Sequence, residues 1–160
     1  MQFEHLVEIN DLPNPLILII SRAQLWRGLV LRAETPKLFI DYLDSADISA
    51  RSEQGMQRSL RYGELTVVDT VVLTPQQEVR YLVAAQGEIP ASSLHMRIEE
   101  PQPDALFVRF TYVDGASAEQ DAENELYNEY RRSAYQEADI DTVRIIRELA
   151  EIGRLDGLVN

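Results

Sequence analysis

The chain offers few reactive side chains, and their spacing narrows the chemistry. It contains no cysteine, which excludes thiolate catalysis, disulfide frameworks and zinc ribbons. Its two histidines, His5 and His95, fit no His-Glu-x-x-His spacing, so no metal centre is expected. His95 falls on the polar parity of its strand and reads as a surface side chain, with a cavity acid or base as the alternative. Asp139 and Asp141 lack the glycine and terminal glutamate of a calcium loop and read as helix-surface charge. There is no Gly-x-Gly-x-x-Gly, no Walker loop and no Gly-x-Ser-x-Gly, so no nucleotide cofactor and no hydrolase elbow is expected.

Tyrosine and arginine carry what remains. Seven tyrosines outnumber four phenylalanines, and Tyr62, Tyr81, Tyr112, Tyr127, Tyr130 and Tyr135 all fall on predicted strands or on the long helix. A phenol suits either a core or a cavity wall, because it joins an apolar body to a polar tip. Tyr81, Tyr112 and Tyr130 lie on faces expected to be covered. Trp26, between Leu25 and Leu29, reads as core. Arg58, Arg61, Arg97 and Arg109 sit on strands and are read as pointing outward; one turned inward would grip a carboxylate or carbonyl bidentately.

The elements that position these residues follow from periodicity. Phe3 to Ile9 is a short apolar strand ending at Asn10-Asp11. Ser21 and Gln24 form a capping box, and Leu25, Trp26, Leu29, Val30 and Ala33 then recur at helical spacing. Gly28 inside that helix costs up to ~1 kcal/mol against alanine, which a close approach to the sheet would explain. Leu38, Phe39 and Leu43 suit a short second helix.

From Ala46 the period is two, giving strands over 46–53, 56–62, 65–74, 78–87, 93–100 and 105–113, joined by short turns as an antiparallel meander. Strand 65–74 admits two readings. Either Leu65, Val67, Val71 and Leu73 face out with Asp69, or Asp69 is a buried acid that needs a partner. Past Gly115 the helical period returns over about 119–152, with Gly153 as a candidate cap. A helix of that length is expected to bend near Asp139 or to project.

Composition sets the frame. The chain has 160 residues and a net charge of −12, a length read as one domain over 1–160. Such acidity disfavours nucleic-acid partners and anionic membranes. Residues 114–141 carry nine acids against Arg131 and Arg132 and read as a solvated helix face. No stretch approaches the ~20 apolar residues of a membrane span, and Met1-Gln2-Phe3-Glu4-His5 lacks a signal-like start. A cytoplasmic location is the default expectation.

The order strand, two short helices, six strands, long helix resembles the helix-grip fold of the START-like (SRPBCC) superfamily. The stretches Leu25 to Glu34, Leu60-Arg61-Tyr62-Gly63, Ile98-Glu99-Glu100-Pro101 with Leu106 to Phe110, and Ala138 to Arg144 resemble the acetylaranotin biosynthesis cluster protein L subfamily. The resemblance implies an α+β fold, a curved seven-stranded antiparallel sheet around a C-terminal helix, with a hydrophobic cavity between them. Superfamily members bind lipids, sterols, polyketides or hormones, and some act as cyclases or aromatases; no reaction is implied for this subfamily.

Face parity together with the resemblance nominates Trp26, Tyr62, Tyr81, Met96, Phe110, Tyr112, Tyr130 and Ala134 as cavity residues. The leading expectation is a binding protein for a hydrophobic small molecule. A cyclase- or aromatase-type enzyme and a homodimer formed through the acidic helix are the alternatives.

Overall fold

In a computed structural model, which describes residues 1–157, the alternating segments become seven strands. They are β1 (Gln2–Glu8), β2 (Ser45–Ser52), β3 (Gly55–Tyr62), β4 (Leu65–Thr74), β5 (Glu78–Val83), β6 (Ser92–Glu99) and β7 (Phe107–Asp114). They form one sheet in the order β1-β7-β6-β5-β4-β3-β2, every neighbouring pair antiparallel. The chain leaves β1 at one edge and returns in β2 at the other. Helix α1 (Arg22–Glu34) lies on that crossing.

Parity decides which face is covered. Met56, Arg58 and Leu60 of β3, Asp69, Val71 and Leu73 of β4, and Val79 and Tyr81 of β5 are all buried. Leu65, Val67, Asp69, Val71 and Leu73 therefore point to the covered side, which resolves the two readings of β4: Asp69 is a buried acid, and its partner is Arg58. Strand β5 stops at Val83, short of the expected end at residue 87. The Gln86 side chain instead brackets the Val68 peptide, accepting from its N–H at 2.8 Å and donating to its C=O at 2.9 Å. A side-chain amide thus replaces the next rung of the ladder.

Helix α1 begins as its capping box predicts: Ser21 Oγ accepts from Gln24 N at 3.1 Å, and Gln24 Oε1 accepts from Ser21 N at 2.9 Å. The short second helix is reduced to a single 3-10 turn, Pro36–Leu38, since Pro36 favours a start but no apolar repeat sustains it.

The C-terminal helix breaks earlier than expected. Helix α2 (Ala118–Glu123) ends at Asn124, whose side chain returns to the Gln120 carbonyl at 2.8 Å. Helix α3 (Glu125–Glu151) then runs 27 residues through Asp139, roughly 40 Å at about 1.5 Å per residue. Leu25, Leu29 and Ala33 of α1 meet Ile146, Leu149 and Ala150 of α3 and Met96, Val108 and Phe110 of the sheet in one core. Gly28 serves the approach of helix to helix, not of helix to sheet: a Cβ there would lie 2.8 Å from Ile146 Cγ2. No described helix is long and apolar enough to cross a membrane.

Candidate ligand cavity

The core fills only one end of the space between sheet and helices. Along α3 the buried positions are Asn128 and then Asp139 onward. Beneath the sparsely packed first half lies a cavity of about 290 Å³. Its floor is Leu60 and Tyr62 of β3, Val67 and Asp69 of β4, Tyr81 and Val83 of β5, Leu94 of β6 and Tyr112 of β7. Arg32 of α1, Ile40, and Arg131 and Tyr135 of α3 close it from above.

Four polar features mark the wall. Arg58 Nε and Nη2 donate to Asp69 at 2.9 and 2.6 Å, and Nη1 donates to the Ala33 carbonyl at 3.1 Å. This buried fork neutralises itself and ties the end of α1 to β3 and β4. Tyr81 is the second. Its ring lies under two guanidinium groups, Arg58 at 4.8 Å and Arg32 at 5.1 Å, while its buried hydroxyl has no hydrogen-bond partner among the described residues.

The third is Arg32. Its Nε reaches Thr142 Oγ1 at 3.4 Å, and no described carboxylate forms an ion pair with it. Arg32 and the Tyr81 phenol thus face one another. Burial works against the Arg32 charge, but Tyr81, Tyr112 and Asp139 together raise its pKa. The cation still has no described carboxylate on it, and the buried hydroxyl has no hydrogen bond of regular geometry, so a ligand oxygen would satisfy both.

The fourth joins β7 to α3. Tyr112 donates its hydroxyl proton to Asp139 Oδ1 in a very short contact and stacks on Tyr135 with ring centres 3.9 Å apart. Asp139 Oδ2 lies 3.4 Å from His5 Nδ1. Burial drives the Asp139 carboxyl up to about 6, against the opposing pull of Tyr112, His5 and Arg32. Burial, reinforced by the Asp139 charge, also raises Tyr112, so its phenol stays protonated. At the far end Asp114 meets Arg131 at 2.9 Å and the Met1 ammonium at 2.5 Å. Burial works against its charge, but these cations and the Ala116 N–H prevail and hold the carboxyl below its usual range.

Of the residues nominated from sequence, Tyr62, Tyr81 and Tyr112 come together on this wall. Met96 and Phe110 lie in the solid core and are fully buried there; Trp26 packs half-buried against that core. Tyr130 is 74% exposed and Ala134 is also solvent-facing, because the first half of α3 turns that stripe away from the sheet. His95 stands on the outer face near Glu78, and Arg109 pairs there with Glu99.

Three further residues of the site are marked by their spacing in the sequence. Arg32 stands three residues after Leu29 and seven after Leu25, on the apolar stripe of α1. Asp139, read as surface charge, is 1% exposed and precedes Thr142, Val143 and Ile146 by three, four and seven. His5 shares its inward parity with Phe3 and Val7.

The sequence model of the family described as acetylaranotin biosynthesis cluster protein L matches residues 7–153. No curated protein matches the chain. Solved structures do. The di-domain ARO/CYC StfQ from the steffimycin biosynthetic pathway aligns at 11% identity and a TM-score of 0.68, over 96% of this chain and 52% of StfQ, so the chain spans about half of StfQ's length. ZhuI, an aromatase/cyclase from a Streptomyces species, aligns at 15% identity and a TM-score of 0.62, over 94% and 93% of the two chains. The Aha1 dimer from Colwellia psychrerythraea gives 16% identity and 0.60, over 92% and 96%. At these identities the likeness is one of fold, a helix grip: a curved antiparallel sheet closed on a long C-terminal helix.

Proposed function

The chain belongs to the family of acetylaranotin biosynthesis cluster protein L, within the START-like superfamily, and on that footing we propose that it binds a hydrophobic small molecule in the cavity beneath α3. The observation that carries this reading is the juxtaposition of Arg32, on which no described carboxylate sits, and the buried Tyr81 hydroxyl on the wall of a cavity beside Val67, Val83 and Leu94. A ligand with a carbonyl, carboxylate or hydroxyl oxygen at one end would complete both groups while its apolar body covers Val67, Val83 and Leu94.

The volume, about 290 Å³, lies just below the roughly 300–1,000 Å³ of small-molecule sites. It suits a compact ring compound of the polyketide or aromatic-metabolite class better than a long acyl chain. Displacement of the fluorescent probe anilinonaphthalene sulfonate, followed by native mass spectrometry, tests the reading. Saturable one-to-one binding is expected, weakened at least tenfold in Arg32→Met; a probe that does not bind, or binds Arg32→Met equally well, contradicts it.

A cyclase- or aromatase-type enzyme is the second reading. The names of StfQ and ZhuI and the Tyr112–Asp139 pair on the cavity wall support it. A homodimer built on α3 is the third, supported by the exposure of Leu126, Tyr127 and Tyr130 on one stretch of that helix.

A further inference from the structure

Asp139 does not line the cavity; Tyr112 does, and its hydroxyl is bonded to that carboxylate. The Tyr112 side chain therefore stands between a ligand in the cavity and Asp139. Arg32 lines the same cavity, and its charge bears on both Tyr112 and Asp139. The groups around Asp139 come from every element packed against it: His5 from β1, Tyr112 from β7, Arg32 from α1, and Tyr135 from its own helix. His5 holds the second carboxylate oxygen. Burying an acid in this way is expensive, and nothing in the packing of α3 demands it, since an asparagine of the same shape would accept the Tyr112 proton equally well.

We propose that Tyr112 and Asp139 form a proton relay that ionises an acidic hydroxyl, a phenol or an enol, held at the Arg32 end of the cavity. The inference rests on the reading of that cavity as a ligand site. The ligand O–H gives its proton to the Tyr112 oxygen as Tyr112 passes its own proton to Asp139. The products are a ligand oxyanion beside Arg32, a neutral Tyr112 and a neutral Asp139. The charge has moved from behind the wall to the guanidinium, and no proton has left the site.

The direction of the pKa shifts fits these roles. Tyr112 is held protonated and so conducts rather than ionises. Asp139, with its carboxyl near 6, is a base matched to phenols and enols of near-neutral acidity and too weak for ordinary alcohols.

Para-nitrophenol and its non-ionisable methyl ether, para-nitroanisole, test the relay. At about pH 6.5, where Asp139 is mostly ionised and free para-nitrophenol mostly un-ionised, the bound probe is expected to show phenolate absorbance. The Asp139 carboxyl-carbon NMR signal should move at the same time to the neutral-acid position. Tyr112→Phe should lose both changes while still binding para-nitroanisole, which shows that the cavity has survived. A bound phenol that stays un-ionised, or one that ionises in Tyr112→Phe as in the parent protein, overturns the relay but leaves the cavity reading standing. Failure of both probes to bind overturns the cavity reading and the relay with it.

Discussion

Asp139 destabilises the fold whenever it is charged. An ordinary aspartate ionises near ~3.9, and this one near 6 because of burial. Between those values the native state holds a proton that the unfolded chain has released. Stability therefore falls as pH rises through that window, by on the order of 1–3 kcal/mol. Asp139→Asn should flatten this dependence, unfolding at higher urea than the parent at about pH 7.5 and equally below about pH 4. A parent stability that rises across the window would show that the carboxylate is favoured where it sits.

Arg58 and Asp69 make the opposite case, a pair that is satisfied only together. Asp69→Ala should cost about 3–5 kcal/mol by leaving the Arg58 guanidinium buried and unpaired, while an apolar replacement of both recovers most of it. A double-mutant cycle in urea measures the coupling. At this scale the sequence marked Asp69 but left two readings, because an acid on an apolar parity either turns that face outward or demands a buried partner. It was not legible which strand arginine would answer, since that depends on register: Arg58 faces Asp69 across the β3–β4 ladder, and Arg61 and Arg97 do not face the core.

Helix α1 and helix α3 touch where Gly28 leaves room for Ile146. Alanine at position 28 gains up to ~1 kcal/mol of helix propensity but drives a methyl into a fully packed side chain, at a cost of about 1–3 kcal/mol. The expected net effect of Gly28→Ala is a lower melting temperature. An unchanged or higher one would mean that the helices can part at little cost.

Within α3 the two halves differ. Residues 139–151 carry most of its buried positions and residues 125–138 only Asn128. Amide exchange should accordingly be faster over the first half, which is the half that roofs the cavity. The meander from β2 to β7 and the boundaries of β4 could be read from alternation and turn chemistry, because one covered face imposes period two; the pairing of β1 with β7 could not. The helix break could not. The nine acids spread over residues 114–141 hide the point at which α2 stops, and what sets it is the local return of the Asn124 side chain to Gln120.

The net charge of −12 belongs to the whole molecule and is concentrated on its least packed segment. The charged face of early α3 is the outer side of the cavity roof, and the chemistry lies on the inner side with Arg32, Tyr81 and Tyr112. That placement was half visible in the sequence. The face pattern marked Tyr81 and Tyr112, and helix-grip topology marked Tyr62, but where the core ends and the cavity begins is set by how far α1 and α3 close on the sheet. Met96 and Phe110 show this: they have the right parity, yet they lie where the layers meet.

An amide NMR titration of the intact chain with anilinonaphthalene sulfonate asks whether the cavity beneath α3 takes a ligand. Saturating shifts centred on Arg32, Arg58, Tyr81 and Tyr112, with one probe per chain, are the predicted result. Shifts that never saturate, or that gather instead on the exposed Leu126, Tyr127 and Tyr130 surface, would contradict it.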